Sequence, residues 1–458
     1  MSPPAPVSLS EEFRWKVQPE AAALVGSRLQ SYLAHCSTAR MLGDRLRDET
    51  GTRLIDWIDY FALAGTRALE RQLADSGFRP EPDGSRLAWH HPDAIFPRIY
   101  LDDDPTERAA IRVDSVSDFV AANQLDSHTH VEGEPGAPLR KAKVFCHGEA
   151  QMWVIERHGC LQFDCPEVTG AKLHAAAAHR AHFAQRRRKF AEAADGFEHA
   201  RQLVDVASRD LGGDWACDLF FAAERDYWLA RNRAAQAQKR RQDALGMGWA
   251  NHDHHTYRSS REYFVHLIRA LEHLGFECRE RFYAGREAGW GAQVLEHSAC
   301  GLVIFADVDL TPDDLVSDFA HEPLPVSERL GTVGLWCGLH GEAFLDAGMH
   351  HLECQFDFDA AREQLAAVGV ETMKPFTDFP HLKQAFTMGD AWPVAKERVE
   401  RLLAEGLITA DQARDFSEHG AIGSHLEILE RNDGYKGFNQ TGISEIISQT
   451  DPRRAAAT

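Results

Sequence analysis

"SHLEILERNDGYKGFNQ", Ser424 to Gln440, is the stretch whose reading decides the fold. Its first half alternates like a half-buried strand: Leu426 and Ile428 fall on one face, and His425, Glu427, Leu429 and Arg431 on the other. Glu427 is the anomaly in this apolar run. An ionised carboxylate taken out of water is costly unless a cation or donors meet it.

Two other segments share the pattern. In "DHHTYR" (Asp253–Arg258) one face holds His254, Thr256 and Arg258, and the other Asp253, His255 and Tyr257. In "HHLECQF" (His350–Phe356) one face holds His351, Glu353 and Gln355, and the mostly apolar other face holds His350, Leu352, Cys354 and Phe356. Each strand can press one face on a helix and turn the other into a cavity. His254, His351 and Glu427 then form two imidazoles and one carboxylate, the facial triad that suits Fe(II) and leaves three positions open. Mn(II) fits the same donors, and Zn(II) fits less well because it prefers closed tetrahedral sites or one open position. A cation there offsets the burial of Glu427. The chain has 24 histidines, so any one of the three taken alone reads first as structural; their matching placement on three strands favours the site.

The surrounding order is modular. From Trp249 a strand leads to the helix "SREYFVHLIRALEHLGF", then to strands "ECRERFYAG", "GWGAQVLEH" and "GLVIFADVDL". "GMHHLECQFDF" opens a second round with the helix "DAAREQLAAVGV" and a strand at "ETMKPF". A helix-rich insertion at about 377–416 precedes the last strands, "GAIGSHLEILER" and "ISEIIS". The fold class predicted is α+β, with tandem βαβββ modules forming an open barrel over residues 247–458. Residues 166–246, rich in Ala, Arg, Glu and Gln, predict a helical connector, read as a hairpin. Residues 1–165 predict an N-terminal α+β domain: a helix in "LIDWIDYFALAGTRALERQLADSGF", strands "SRLAWHHP", "FPRIYLD" and "AAIRVDS", and a long strand or hairpin at "AKVFCHGEAQMWVIE".

Composition bounds the rest. The 458 residues carry a formal charge of −20, which opposes nucleic-acid binding. The basic runs "QRRRK" and "QKRRQ" read as solvated helix faces. No run of about 18 apolar residues predicts a membrane span, and "MSPPAPVSLSEEF" has no basic head or apolar core of a leader, so a cytoplasmic protein is expected. Nine cysteines without a CxxC pair read as reduced and structural, Cys160 and Cys165 included. "HTHVEGE" lacks the glycine of a cupin motif, "CHGE" lacks a second ligand cluster, and "TPDDLVSDFAHEPLP" reads as a solvated acidic segment. No phosphate loop or GxSxG elbow occurs.

Residues 247–458 resemble the vicinal oxygen chelate superfamily, and within it decarboxylating dioxygenases of the 4-hydroxyphenylpyruvate dioxygenase type. "DH", "HHLECQ" and "LEILER" stand in that family's order of His, His and Glu, and "GYKGFNQTGISEII" looks like its closing segment. The region also resembles the 2-oxoadipate dioxygenase/decarboxylases (hydroxyglutarate synthases), in which the first ligand His is followed four residues later by an Arg, as His254 is by Arg258. The resemblance implies an Fe(II)-dependent dioxygenase that oxidatively decarboxylates a small acidic 2-oxo acid with O2. His254, His351 and Glu427 would hold the metal, and Arg258 would fork a remote substrate carboxylate. Gln293 and Gln355 would add amide hydrogen bonds, and Phe438 and Asn439 would form part of a lid. It further implies that residues 1–165 are a degenerate copy of the same module. A metal-dependent isomerase, lyase or extradiol dioxygenase on this scaffold, or a non-catalytic small-molecule-binding protein, fits the same residues. A homodimer is compatible with the chain.

Overall fold

Two large mixed sheets carry the chain in the computed structural model, which describes residues 15–125, 129–148, 150–327, 329–439 and 450–453. Helices α1 (Pro19–His35) and α2 (Ser37–Arg45) lead into β1 (Ile58–Ala64), α3 (Arg67–Asp75), β2 (Arg79–Asp83), β3 (Arg86–His90) and β4 (Arg98–Asp102). A second round follows with β5 (Glu107–Arg112), α4 (Val116–Ala122), β6 (Val131–Glu132), β7 (Leu139–His147) and β8 (Ala150–Arg157). These strands form one sheet in the order β2-β3-β4-β1-β5-β8-β7-β6.

Four helices come next: α5 (Gly170–Ala184), α6 (Ala193–Leu211), α7 (Gly213–Leu229) and α8 (Arg233–Asp243). The second sheet then begins with β9 (His252–Arg258), α9 (Phe264–His273), β10 (Glu277–Tyr283), β11 (Trp290–His297), β12 (Leu302–Asp309) and α10 (Thr332–His340). It is completed by β13 (His351–Gln355), α11 (Phe358–Ala367), β14 (Thr377–Phe379), β15 (Leu382–Phe386), β16 (Asp390–Trp392), α12 (Lys396–Ala404), α13 (Ala410–His419) and β17 (Ala421–Arg431). Its order is β10-β11-β12-β9-β13-β17-β15-β14, with β16 on β17. In each sheet two βαβββ modules meet through their first strands, antiparallel, and each first strand pairs in parallel with its module's last. This is the vicinal-oxygen-chelate arrangement, α+β and curved without closing into a barrel.

Several local expectations are corrected. The run from Leu54 is a short 3-10 turn (Leu54–Trp57), then β1, and an α-helix only from Arg67: Tyr60, Phe61, Ala62 and Leu63 are buried in succession, as a central strand flanked on both sides requires. Thr66 then caps α3 by accepting from the Leu69 N–H at 3.1 Å. "ETMKPF" makes a single bridge, Thr372 to Thr387, because Pro375 has no N–H to extend a ladder. The module's middle strands are β14 and β15, inside the stretch read as a helix-rich insertion. "ISEIIS" lies outside the described residues, as do His128 of "HTHVEGE" and Glu149 of "CHGE".

The connector is four helices rather than a hairpin, and α7 lays Phe220, Phe221 and Trp228 into the core of the second sheet. "QRRRK" is not a solvated face: Arg186 and Arg188 are buried and pair with Glu224 of α7 at 2.9 and 2.6 Å. In "TPDDL", Asp314 is buried too, holding Arg261 at 2.7 Å. Cys160 and Cys165 are not free thiols but form a disulfide. The loop they close drives Phe163 into the concave face of the first sheet, where its ring meets Tyr60 and Tyr100 at 5.5 and 4.7 Å. No helix among the described residues is long and apolar enough to cross a membrane.

Gly51 is one of the points where the two halves touch. Its carbonyl accepts from Asp357 N–H at 2.9 Å, its φ is +65°, and a Cβ there would stand 2.6 Å from the Ala361 backbone. Gly51→Ala is expected to lower stability by about 1–3 kcal/mol, from left-handed backbone and clash together; urea unfolding of the full chain checks it.

Candidate metal centre

Register decides what shares the concave face of the second sheet. Antiparallel β9 and β13 set Glu353 opposite His254 and His351 opposite Thr256, and parallel β13 and β17 set Glu353 beside Glu427. Three adjacent central strands therefore point His254, His351 and Glu427 inward, and one ligand atom from each lies within 4.8 Å of the others. All three are buried.

The rings are oriented from behind. His254 Nδ1 lies 3.2 Å from Asp253 Oδ2 and also contacts Glu353, which leaves Nε2 for a ligand. His351 Nδ1 faces His350 Nδ1 at 2.8 Å, and its Nε2 lies 3.1 Å from Glu427 Oε2. Outer partners of this kind fix the tautomer and aim of a metal-binding imidazole. Asp253 is itself gripped by Arg431 at 3.0 Å and by the Gln355 amide at 3.0 Å.

The electrostatics call for a cation. Burial pushes His351 well below its ordinary range, so its ring is neutral and its lone pair free. Burial pushes Glu427 up to about 7, against hydrogen bonds from Glu353 and Gln384. Glu353 is raised as well, by burial first and by the Glu427 charge second. Gln384 Nε2 donates to Glu353 Oε1 at 2.8 Å and Glu427 Oε1 at 3.1 Å, and Glu353 Oε2 lies against His254 Nδ1. Two imidazoles beside a buried carboxylate pair are a donor set that a divalent cation could complete.

The cavity in front of these donors holds about 90 Å³. Phe438 closes one side, its ring 4.3 Å from Phe305 and 5.2 Å from His254. Asn439 also lines it, donating to Thr377 Oγ1 at 2.8 Å. Arg258 reaches in from β9 with Nε and Nη1 unpartnered among the described residues, 5.8 Å from the Trp336 ring. Asp307 of β12 lines the same wall, pushed up to about 8 by burial although Arg258 pulls it down.

Gln293 and Gln355 are not in the cavity. Gln293 stands three residues from the cavity-lining Trp290, hence on the opposite face of β11, and its amide serves the Glu280 and Val294 carbonyls at 3.1 and 3.0 Å. Gln355 lies beyond the donors, holding Asp253, and borders a separate cavity of about 520 Å³ between the two sheets. Gln384 and Asp307 are the residues the sequence reading missed. Asp307 carried the same signal as Glu427, an acid inside the apolar run "LVIFADVDL"; Gln384 had none, because its strand was read as part of an insertion.

No family model and no curated protein matches the chain. Among solved structures, a variant of 4-hydroxymandelate synthase from Streptomyces coelicolor is 13% identical over 87% of this chain and 99% of its own, with a TM-score of 0.30. Methylmalonyl-CoA epimerase from Mycobacterium tuberculosis is 13% identical over 40% of this chain and 88% of its own, with a TM-score of 0.23. The uncharacterised protein YdcJ from Shigella flexneri is 12% identical over 56% of this chain and 73% of its own, with a TM-score of 0.25. At these scores the fold assignment rests on strand order and register.

Because the Glu427 proton must leave before a cation binds, affinity for Mn(II), which shuns thiolates, is expected to fall about tenfold per pH unit below about pH 7 and to level off above it. Glu427→Gln is expected to abolish binding throughout. Calorimetric titration across that range checks both.

Proposed function

We propose that the protein is a non-haem Fe(II) dioxygenase that oxidatively decarboxylates a short 2-oxo acid bearing a second carboxylate. The observation that carries this reading is the convergence of His254, His351 and Glu427 on one face of a vicinal-oxygen-chelate sheet, with a buried arginine further along the same strand as His254 whose Nε and Nη1 have no hydrogen-bond partner among the described residues. Iron bound to these donors supplies O2 activation and a Lewis acid for the 2-oxo group.

The protein's share is holding, orienting and drying. Three ligands on one side leave three positions turned to the cavity. Arg258 stands four strand residues from His254, roughly 13 Å along the chain. Its Nε and Nη1, without hydrogen-bond partners among the described residues, leave charged donors with which a terminal carboxylate can pair. Asp307, mostly protonated at neutral pH, can donate a hydrogen bond to the same carboxylate instead of repelling it. Phe305, Phe386 and Phe438 exclude water from the reacting end. A cavity of about 90 Å³ favours an aliphatic acid over an aromatic one.

A second reading, a metal-dependent isomerase or lyase, is favoured by Glu353, a second buried carboxylate directly beside Glu427 that could exchange a proton with substrate. Oxygen consumption separates the two. After anaerobic Fe(II) loading, a panel of 2-oxo acids is expected to contain one that consumes O2 and releases an equal amount of CO2; turnover without O2 uptake would transfer the assignment to the second reading.

His254→Ala, His351→Ala and Glu427→Ala are each expected to lose iron while keeping the far-ultraviolet circular dichroism of the parent; iron content after desalting checks this. Arg258→Ala is expected to keep iron and to raise KM for a dicarboxylate roughly 30-fold or more, the loss of a desolvated charge pair. An unchanged KM would remove its assigned role.

A further inference from the structure

The helix-covered face of the second sheet carries a donor cluster that the metal centre does not use. Cys217 on α7, His297 at the end of β11 and Cys300 in the β11–β12 turn are all buried, and one ligand atom from each lies within 4.8 Å of the others. Both cysteines are free thiols. The His297 ring is already aimed: Nδ1 faces Cys300, whose amide N–H reaches it only at a long 3.3 Å, and Nε2 lies 3.7 Å from Asp214 Oδ1. Nε2 is buried and has no hydrogen-bond partner among the described residues. A histidine that shows one nitrogen to two thiols and the other to a carboxylate has the orientation of a metal ligand with its outer partner.

We propose that Cys217, His297 and Cys300 bind one divalent cation of the zinc class, tying connector helix α7 to the β11–β12 turn. Two thiolates and an imidazole are the ligands that select such an ion over Fe(II) or Mn(II). Binding forms two metal–sulfur bonds as two thiol protons pass to solvent, so the dication becomes locally neutral and is tolerated in a buried place. Asp214 borders the cluster: its backbone carbonyl accepts from Cys300 Sγ at 3.2 Å, and its carboxylate lies 3.7 Å from His297 Nε2. No residue is shared with the cavity of His254, His351 and Glu427, so the two sites load and fail independently.

A thiolate-to-cobalt band separates this site from the donors His254, His351 and Glu427, which include no thiolate, and Cys300→Ser separates it from the exposed Cys278. The full-length protein, stripped with chelator under reducing conditions, is titrated with Co(II). Expected is a near-ultraviolet thiolate-to-cobalt charge-transfer band that saturates at one equivalent, is displaced by Zn(II) and persists in His254→Ala. The band is lost in Cys300→Ser and weakened in His297→Gln. A second measurement needs no variant: Zn(II) is expected to protect Cys217 and Cys300 together from alkylation, read by peptide mass spectrometry. Absence of the band with both thiols still alkylated in Zn(II), or recovery of a Cys217–Cys300 disulfide peptide from freshly purified protein, would overturn the proposal.

Discussion

Two carboxylates side by side in a dry cavity form the constraint that organises the second sheet. Glu353 and Glu427 are neighbours in a parallel strand pair, both buried, and both displaced toward their protonated forms. Burying one such charge costs several kcal/mol even after relaxation, and two of like sign cannot both ionise without a counter-charge. Gln384 supplies donors to each, which softens the cost without removing it. Surroundings that keep His351 neutral cannot supply the missing positive charge from that imidazole, and Arg431 is already committed to Asp253. A cation held by His254, His351 and Glu427 satisfies all these groups at once.

The opposite face of the same strands shows how the position of these groups is maintained. Tyr257 follows Thr256 on β9 and points away from the cavity, into a core made with Phe221 of α7 and Phe344. Behind it Glu224 receives both Arg186 and Arg188, and the Tyr257 hydroxyl reaches the same carboxylate at 3.4 Å. Burial alone would raise Glu224, but the two guanidiniums hold it below the usual carboxylate range. Removing one partner from such a buried set costs about 3–5 kcal/mol. The connector is thus part of the wall that fixes β9, the strand bearing both His254 and Arg258.

What could be read from sequence follows from how local each signal is. Alternation along β9, β13 and β17 is a property of a few consecutive residues, and it assigned the inward faces of His254, His351 and Glu427 before any pairing was known. Phe438 and Asn439 follow directly from the end of β17, and they too line the cavity. Gln293 and Gln355 failed because their roles depend on which residue begins the exposed row and on what lies beyond the strand end. Neither can be read without register. Arg186 and Arg188 misled for a related reason: a basic run beside a helix is solvated unless a distant acid, here Glu224, comes to meet it. Cys160 and Cys165 paired because the loop between them folds inward around Phe163, a tertiary event invisible in their spacing.

The first sheet gives the contrast that makes the second interpretable. Its strands repeat the same order and the same parallel and antiparallel pairings, so its central row must also face a concave space. Across that row stand Tyr60, Ala110 and Trp153, where the second sheet has His254, Glu353 and Glu427. Tyr60, Tyr100 and the inserted Phe163 fill the space with rings packed edge to face or tilted, and no cluster of metal-ligating side chains occurs there among the described residues. An aromatic filling contributes by burying apolar area and needs no partner beyond its own contacts. The same curvature lined with imidazoles and carboxylates gains nothing from burial alone. One scaffold therefore admits two linings, an aromatic plug or a set of imidazoles and carboxylates that could hold an ion.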